Sequence, residues 1–488
     1  MDCENLALHT DKYQINMMYA HWRNGTHNRK AVFDAFFRKL PFGNGFAVFA
    51  GLERIVNYLN ALRFDEQSIA YLAEQEENYD PAFYDELRAF RFTGNLFSVR
   101  EGQLVFPNEP LIRVEARVFE AQLIETALLN FMNFQTLLAT KAARIKQVAS
   151  TETLLEFGTR RAQEADAAIW GARSAYIAGF HGTSNMRAGM MFGIPTKGTH
   201  AHAWVQDHAT EEEAFRRFAD ALPDESVLLV DTYDTLRSGV PNAIKTACYL
   251  QEKGKRLKGI RLDSGDLAYL SIQARKMLDE AGLTDATITA SNDLDENTIL
   301  DLKAQGARID VYGVGTQLIT AGDQPSLGGV YKLVAREDDE GYVPAIKISG
   351  NPEKITNPGI KNIYRILNKK TGKAEGDYIT LADEQLDETR PLKLFNPTHT
   401  FIQKRVKDYH AVPILEPIYV EGKQVYQLPT LEEIRHYHEE QLQQFWPEYL
   451  RKLNPEEYPV DLSEALWELK MQLIREHLDA SGDSDGKE

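Results

Sequence analysis

The sequence predicts an α/β protein built around a barrel of parallel strands and helices. Seven short apolar runs alternate with helical patterns in the middle of the 488-residue chain, and this alternation implies parallel strands joined by right-handed crossovers. Each run ends in a polar cluster, and the active sites of (β/α) barrels lie at the carboxyl ends of the strands. The predicted strands are Thr153–Phe157, Tyr176–Phe180, Ile194–Lys197, Val227–Val230, Lys258–Leu262, Ala286–Ala290 and Ile309–Tyr312.

Changes of pattern divide the chain into three predicted segments. Residues 1–150 form an N-terminal α/β domain and residues 151–335 the barrel. Residues 336–488 form a C-terminal extension, which we expect to return in part to the N-terminal domain and to be helical from about residue 431. Its last residues, 480–488, are small and polar, so we expect a disordered tail.

Capping residues and hydrophobic periodicity place the remaining elements. Thr10 is suited to cap a helix from Asp11 to about Arg23, and Gly25 would end that helix. The N-terminal segment also predicts a strand Ala31–Phe37, a helix Gly51–Leu62, strands Gln103–Phe106 and Leu111–Val114 joined by an Asn-Glu-Pro turn, and a helix from about Phe119 to Val148. The barrel helices are predicted near Arg161–Trp170, Glu211–Ala221, Pro241–Lys253, Asp266–Ala281 and Asp295–Gln305.

Composition excludes some classes of partner. The formal net charge of −17 argues against nucleic acid as the main partner, because phosphate backbones bind basic surfaces, although small anions stay possible. No apolar run is long enough to span a bilayer, and we expect no signal peptide at the polar start of the chain. The only two cysteines, Cys3 and Cys248, make a disulfide framework improbable and predict a cytoplasmic protein.

The pair His200 and His202 leaves three hypotheses open. The two side chains would point the same way on an extended segment, so they suit a metal-binding His-x-His, one catalytic histidine with a bystander, or surface histidines. A metal-dependent hydrolase barrel needs further ligands after later strands, and no histidine occurs between His208 and His399. The pattern therefore favours a single catalytic histidine.

Arg261 and Asp263 follow the fifth predicted strand. Arginine binds carboxylate or phosphate through two parallel hydrogen bonds, and a nearby aspartate can accept hydroxyls or hold Mg²⁺ through water. The competing interpretation is an ordinary capped helix start, and the same alternative holds for Ser291 and Asn292 after the sixth strand, whose polar groups suit a sugar.

A glycine-rich turn follows the seventh predicted strand. Gly313 and Gly315 would expose backbone N–H groups, and Thr316 adds a hydroxyl, which together suit a phosphate. Phosphate sites commonly follow the last strands of such barrels. With the preceding clusters, this turn predicts a phosphorylated sugar as substrate.

In their order along the chain, these motifs resemble those of the nicotinate phosphoribosyltransferases. The resemblance covers most of residues 10–335 and is far more specific than any one motif. The matching segments are Thr10-Asp-Lys-Tyr13-Gln, Phe42-Gly-Asn-Gly-Phe, Glu156-Phe-Gly-Thr-Arg-Arg, Phe180-His-Gly-Thr-Ser-Asn, Gly198-Thr-His-Ala-His-Ala-Trp, Ile260-Arg-Leu-Asp-Ser-Gly-Asp, Ala290-Ser-Asn-Asp-Leu-Asp, Tyr312-Gly-Val-Gly-Thr and Gly328-Gly-Val-Tyr-Lys-Leu.

The resemblance implies both a fold and a reaction. The fold would be the irregular α/β barrel of type II phosphoribosyltransferases with an N-terminal α/β domain and a partly helical C-terminal extension. The reaction would join nicotinate to phosphoribosyl pyrophosphate, giving nicotinate mononucleotide and pyrophosphate, as the first step of NAD salvage from nicotinate. ATP would be hydrolysed through a phosphohistidine, Mg²⁺ would be bound mainly through the pyrophosphate, and the enzyme would be a homodimer with active sites near the subunit interface.

The resemblance also implies roles for individual residues. His202 would be the phosphohistidine, with Arg261 and Asp263 also catalytic, whereas His200 falls at a variable position. The substrate-binding residues would be Tyr13, stacking on the pyridine ring from the other subunit, Phe157 on the opposite ring face, Arg160, Thr199, Ser291 and Asn292 near the substrates, and Gly313, Gly315 and Thr316 at the 5′-phosphate.

Ser184 indicates the acid rather than the amide as substrate. Similar enzymes that use nicotinamide have an aspartate at this position, which would accept the amide N–H groups and repel a carboxylate. Two alternatives come from other classes. One is a zinc-dependent hydrolase using His200 and His202, and the other is a non-catalytic subunit with a degenerate fold.

Overall fold

The computed structural model describes residues 5–322, 324–351 and 354–482. These residues form two compact units. One unit is Leu138–Pro325, and the other consists of the described parts of Met1–Leu137 and Ser326–Glu488. No helix among the described residues is long and apolar enough to cross a membrane.

The secondary structure alternates between strands and helices over much of the chain. The helices are α1 Lys12–Arg23, α2 Leu52–Ala61, α3 Glu66–Ala73, α4 Pro81–Arg88, α5 Val118–Leu123, α6 Glu125–Ala149, α7 Glu164–Ile177, α8 Met186–Phe192, α9 His202–Gln206, α10 Glu211–Ala221, α11 Val240–Glu252, α12 Leu267–Glu280, α13 Glu296–Ala304, α14 Thr316–Ile319, α15 Leu431–Gln444, α16 Pro447–Leu450 and α17 Glu464–Gly482. Short 3₁₀ turns cover Pro41–Gly43 and Thr159–Arg161, and a π-helical turn covers Thr235–Gly239.

The strands are β1 Lys30–Phe36, β2 Ala47–Val48, β3 Asn95–Ser98, β4 Leu104–Val105, β5 Ile112–Arg117, β6 Thr153–Glu156, β7 Gly182–Thr183, β8 Val227–Leu229, β9 Gly259–Leu262, β10 Thr287–Ser291, β11 Val311–Val314, β12 Val330–Asp338, β13 Gly341–Pro344, β14 Lys361–Asn368, β15 Ala374–Leu381, β16 Leu392–Phe395, β17 Gln403–Val406, β18 Tyr409–Pro413, β19 Glu416–Val420, β20 Lys423–Gln424 and β21 Val460–Leu462.

The unit Leu138–Pro325 is built on a parallel sheet with the strand order β7-β6-β11-β10-β9-β8. The first strand of this unit, β6, pairs with its last, β11, as in a barrel. Thr196 adds an isolated parallel bridge to Thr183 at the edge of β7. Among the described pairings the sheet is open between that bridge and β8. All carboxyl ends of the paired strands lie at one edge, because the strands are parallel.

Five of the seven predicted barrel strands are present, with shifts of one or two residues at their ends. The prediction of a strand over Tyr176–Phe180 is wrong, because α7 continues to Ile177 and Gly179 follows in a left-handed conformation with φ of 102°. The residues of the later part of α7 are nearly all buried, so their side chains form an apolar run without helical periodicity. Ile194–Lys197 also forms no strand beyond the bridge at Thr196.

The helices between these strands follow their capping residues. α10 has the predicted bounds, and Thr210 caps it by accepting a hydrogen bond from the Glu213 N–H. Asp266 and Asp295 cap α12 and α13 in the same way, so these residues lie just before the helices that were predicted to include them. α7 begins three residues after the predicted start and extends seven residues beyond the predicted end.

The other unit combines strands from both parts of the chain. Its seven-stranded sheet has the order β13-β12-β1-β5-β3-β19-β20. Strand β12 pairs with β1, and β19 pairs with β3, so strands after residue 326 complete a sheet begun before residue 137. The C-terminal extension, which we expected to return in part to the N-terminal domain, lies in the same compact unit as the N-terminal region.

Details of this unit differ from the sequence predictions. Thr10 does not cap α1, because its hydroxyl donates to the Leu123 carbonyl and the helix begins at Lys12. Strands β4 and β5 do not form a hairpin with each other, since β4 pairs with β2 and β5 pairs with β1 and β3. The single helix predicted from Phe119 is divided into α5 and α6. α17 extends to Gly482, so the predicted tail is helical at its start, and residues 483–488 lie outside the described residues.

A buried ion pair lies in the core of this unit. Arg365 donates to both carboxylate oxygens of Asp377, at 3.0 and 2.7 Å, and both side chains are almost fully buried. The Tyr458 hydroxyl donates to Asp377 at 2.9 Å, and Gln441 accepts from Arg365 at 2.9 Å. A buried charge needs this degree of pairing, because an unpaired one is strongly destabilising.

Candidate active site

Arg261 lies at the centre of a hydrogen-bonded cluster at the carboxyl ends of the parallel strands. It is the third residue of β9, and its guanidinium donates to the Thr199 hydroxyl at 3.2 Å, the Ser291 hydroxyl at 2.8 Å and the Asp263 carboxylate at 2.8 Å. These partners come from three separate polar clusters of the sequence. The structure therefore brings together four residues that the motifs predicted to share a site.

Asp263 links Arg261 to His202. Its Oδ1 accepts from Arg261 and from the Ser291 hydroxyl, and its Oδ2 lies 3.9 Å from His202 Nε2. The Asp263 N–H donates to Asp231 Oδ2 at 2.7 Å, which fixes the backbone of this loop. Asp263 is consequently held by neighbours on both sides while one carboxylate oxygen faces the histidine.

His202 is the first residue of α9 and is open to the site. Its side chain is 39% exposed, and Nδ1 lies 3.0 Å from the Thr232 hydroxyl. When Nδ1 carries the proton and donates it to Thr232, the lone pair of Nε2 faces outward beside Asp263. This imidazole is thus accessible, and it lies next to Asp263 at the same edge of the sheet as Arg261.

His200 has a different environment from His202. It is buried, its Nε2 accepts a hydrogen bond from the Leu229 N–H at 3.1 Å, and its ring lies 4.8 Å from the ring of Phe218. Burial lowers the pKa of His200 to about 4, so the ring is neutral near pH 7. Because Nε2 already has a partner, the His200–His202 pair is not arranged as a metal-binding His-x-His.

The Phe157 ring lies close to both Arg261 and Gly313. The Arg261 guanidinium carbon lies 5.7 Å from the centre of the Phe157 ring. Gly313 is inside β11, where a Cβ would come within 2.5 Å of that ring. The absence of a side chain at Gly313 therefore leaves space for the Phe157 ring, a role that the glycine-rich pattern did not predict. Thr316 is the first residue of α14, and Gly315 directly precedes this helix. Gly315 and Thr316 belong to the turn that was predicted to bind phosphate.

Glu156 is a residue of the site that sequence reasoning missed. Its Oε1 accepts from the Gly158 N–H and its Oε2 from the Thr183 hydroxyl, both at 2.5 Å. The side chain is buried, and burial raises its pKa. Glu156 thus ties the loop of Phe157 to the end of β7. Glu156 lies within the apolar run predicted over Thr153–Phe157, and it gave no signal in the sequence beyond its place in a matching motif.

Asp231 and Thr232 were also missed as individual residues. They lie after β8 in the polar cluster Asp231-Thr-Tyr-Asp-Thr. The cluster indicated the end of a strand, but its residue types did not show which of its side chains lie in the site. Asp231 Oδ2 also accepts from the Ser264 hydroxyl at 2.7 Å, while Asp231 Oδ1 is buried without a hydrogen-bond donor.

The remaining predicted residues lie at the surface of their units. Ser184 directly follows β7 with its side chain exposed, and Arg160 is exposed in the turn Thr159–Arg161. Asn292 follows β10 with φ of 120°, a backbone conformation that typically costs about 1–3 kcal/mol and is found at functional sites. Tyr13 belongs to the other unit, where it lies on α1 and is 50% exposed.

A parallel sheet with an arginine, a carboxylate and an accessible histidine at its carboxyl edge is consistent with an α/β enzyme of the type II phosphoribosyltransferase class. Three family models match the chain and agree with this. They are the N-terminal domain of nicotinate phosphoribosyltransferase over residues 8–133, the nicotinate phosphoribosyltransferase family over 153–356, and the C-terminal domain over 360–470. The chain belongs to the nicotinate phosphoribosyltransferase family, so the predicted resemblance is confirmed. The predicted α/β fold class with a parallel sheet is confirmed as well, while the described strand pairings leave the barrel open.

Individual relatives match over nearly the whole chain. The nicotinate phosphoribosyltransferase of Bacillus subtilis is 58% identical, covering 97% of this chain and 96% of its own. The human nicotinate phosphoribosyltransferase is 34% identical, covering 94% of both chains. A crystal structure of human nicotinic acid phosphoribosyltransferase matches with a TM-score of 0.85 and 32% identity, covering 95% of this chain and 99% of that one. A nicotinate-nucleotide pyrophosphorylase from Pyrococcus furiosus shares the fold, with a TM-score of 0.67 and 23% identity over 90% of this chain and 95% of that one.

Proposed function

We propose that this enzyme joins nicotinate to 5-phosphoribosyl 1-pyrophosphate. The pyridine nitrogen attacks the anomeric carbon of the sugar, the bond from that carbon to the pyrophosphate oxygen breaks, and nicotinate mononucleotide and pyrophosphate leave. The observation that supports this most strongly is the Arg261 cluster, in which Thr199, Asp263 and Ser291 from three matching motifs meet on one guanidinium. The product would enter NAD salvage.

The cluster suits an anionic substrate and a cationic transition state. Arg261 supplies a fixed cation for the nicotinate carboxylate or a sugar phosphate, and its neighbours hold it in place before substrate binds. Asp263 lies where its negative charge would stabilise the oxocarbenium-like sugar that forms as pyrophosphate leaves. Phe157 offers a ring face on which the pyridine can stack, with Tyr13 of a second subunit on the other side.

Mg²⁺ fits the residues around Asp263. Asp231 Oδ1 is buried without a hydrogen-bond donor, and carboxylate oxygens are ligands that Mg²⁺ prefers. Asp263 Oδ1 is already used by Arg261 and Ser291, so we expect the metal to be bound mainly through the pyrophosphate. When bound, Mg²⁺ would neutralise the charge of the leaving group.

We further propose that ATP is hydrolysed through His202. The Nε2 lone pair attacks the γ-phosphorus of ATP, the bond to the bridging oxygen breaks, and ADP leaves with the electron pair. Thr232 supports this assignment because it holds Nδ1 at 3.0 Å and leaves Nε2 as the reactive nitrogen. Hydrolysis of the phosphohistidine then returns the imidazole and releases phosphate.

Ser184 favours nicotinate over nicotinamide. Its exposed hydroxyl directly follows β7, and a neutral hydroxyl does not repel the carboxylate of the acid. We propose that the enzyme is a homodimer, because Tyr13 on α1 is half exposed and available to a second subunit. We also propose that it acts in the cytoplasm.

The test incubates the protein with nicotinate, phosphoribosyl pyrophosphate, Mg²⁺ and ATP, and measures nicotinate mononucleotide and pyrophosphate. Nicotinamide and quinolinate are tested in parallel. We expect product from nicotinate far above that from either alternative. Equal or greater use of nicotinamide would refute the substrate assignment.

A second experiment tests the phosphohistidine. Protein incubated with γ-³²P-ATP should be labelled, and His202→Ala should abolish the label. Retained labelling in His202→Ala would move the phosphoryl acceptor to another residue.

A further inference from the structure

Among the strand pairings of the described residues, β8 has no partner strand on its outer edge, and a histidine side chain accepts a hydrogen bond there. β8 is the last strand in the order of the six-stranded sheet, and the Val230 N–H donates to the Arg261 carbonyl on its paired side. Successive backbone N–H groups of a strand point to opposite sides, so the Leu229 N–H points away from β9. It donates to His200 Nε2 at 3.1 Å. The imidazole thus occupies the place of a neighbouring strand at this position.

The surroundings of His200 hold its ring in this role. The ring packs edge-on against Phe218 at 4.8 Å and lies 6.0 Å from Phe215, both on α10. Nδ1 lies 3.4 Å from the Ala201 carbonyl, which places the proton on Nδ1 and the lone pair on Nε2. Burial lowers the pKa of His200 to about 4, so the acceptor persists throughout the neutral range.

The hydrogen bond between Leu229 and His200 lies close in the chain to the one that holds His202. Leu229 is three residues before Thr232, whose hydroxyl is bonded to His202 Nδ1. His200 and His202 therefore attach one short loop to two points of one segment, Leu229 at the end of β8 and Thr232 just after that strand. Thr199 adds a third attachment through its hydrogen bond from Arg261 at 3.2 Å.

We infer that His200 is a positioning residue, which fixes the His202 loop on the edge of β8 so that His202 faces Asp263. The inference rests on the proposed phosphorylation of His202. It assigns a structural role to His200, which lies two residues before the proposed reactive residue His202.

Three variants separate the hydrogen bond from the packing. His200→Phe keeps an aromatic ring against Phe218 but has no acceptor for the Leu229 N–H. His200→Gln places an amide oxygen close to the position of Nε2 and should restore the acceptor. His181→Phe is the matched control, because His181 Nδ1 accepts from the Leu154 N–H of β6 at 3.0 Å, near the amino end of the same sheet.

The rate of labelling from γ-³²P-ATP and the ATP consumed per nicotinate mononucleotide are measured per mole of folded protein. We expect His200→Phe to be labelled about tenfold more slowly than wild type, as expected for leaving one buried N–H without a partner near the reactive loop. Its ATP use per product should change as well. His200→Gln should recover most of the labelling rate, and His181→Phe should be labelled like wild type even where its melting temperature falls.

Normal labelling of His200→Phe would overturn the inference alone. A labelling defect in His200→Gln as large as in His200→Phe, or an equal defect in His181→Phe, would also overturn it, because the acceptor at β8 would not be the cause. Wild-type protein that takes no label would refute the phosphohistidine proposal and this inference with it. The two failures are therefore distinguishable.

Discussion

Adding one methyl group at Gly313 tests the packing of the candidate site. The Cβ of Gly313→Ala would lie 2.5 and 2.6 Å from two carbons of the Phe157 ring, whereas carbon atoms in contact are optimally about 3.5–4.0 Å apart. The ring must move by about 1 Å to relieve the contact. Overpacking of this kind typically costs about 1–3 kcal/mol of folding free energy.

The displacement should affect activity more than folding. Phe157 also lies beside the Arg261 guanidinium, and a 1 Å misplacement of a positioning group can reduce a rate by about 10²-fold. We expect Gly313→Ala to lower kcat/KM for nicotinate by one to two orders of magnitude, with a modest decrease in melting temperature. Steady-state kinetics and thermal unfolding measure both effects.

Two controls accompany this variant. Gly198→Ala adds a methyl group with nothing within 4 Å, so it should leave the melting temperature unchanged. Phe157→Leu combined with Gly313→Ala should recover part of the stability lost in Gly313→Ala, because the smaller side chain relieves the contact. Wild-type kinetics and stability in Gly313→Ala, or strict additivity in the double variant, would refute this account of the glycine.

Three further predictions concern selectivity, the core and pH. Ser184→Asp should raise KM for nicotinate through repulsion of its carboxylate, and unchanged nicotinate kinetics would contradict the selectivity argument. Asp377→Ala should lower the free energy of unfolding by about 3–5 kcal/mol in denaturant titrations, because the buried Arg365 would lose the carboxylate that accepts two of its hydrogen bonds, and a loss below about 1 kcal/mol would be inconsistent with the buried pair. Burial raises the pKa of Asp461 to about 6, so the folded state binds its proton more tightly than the unfolded state, and this residue's contribution to stability falls as pH rises from about 4 to about 6. Asp461→Asn should therefore gain stability relative to wild type over that interval and level off above it, and a pH-independent difference would contradict the assignment.

The sequence predicted the elements whose local signals agree with their tertiary environment. α10 was predicted at its observed bounds because Thr210 caps it and its apolar positions recur with helical spacing. The prediction failed at Tyr176–Phe180, where the buried last turns of α7 leave no polar face and an apolar run alone does not distinguish helix from strand. The expected return of the C-terminal extension to the N-terminal domain did not identify β12 or β19 as the strands that pair with the N-terminal sheet, because strand pairing over some 300 residues leaves no local pattern.

Part of the site was predictable in the same way. The convergence of Arg261, Asp263 and Ser291 was predictable because parallel strands place their carboxyl ends at one edge, so polar clusters after β9 and β10 meet. Thr199 joins them through its hydrogen bond from Arg261, although the strand predicted before it is not formed. Glu156 was not found, since a buried carboxylate that binds two loops has the same sequence context as any residue ending a strand.

The order of motifs along the chain by itself determined the family and the edge of the sheet where the chemistry occurs, because both depend on residue types and on the parallel arrangement of strands. The motif order also pointed to His202 over His200, but only the tertiary structure shows how the environments of the two histidines differ. His200 and His202 are two residues apart and chemically identical, but the Leu229 N–H uses the lone pair of one while Thr232 leaves Nε2 of the other open. That difference arises from the unpaired edge of β8, which is a property of the assembled sheet and not of any segment of the chain.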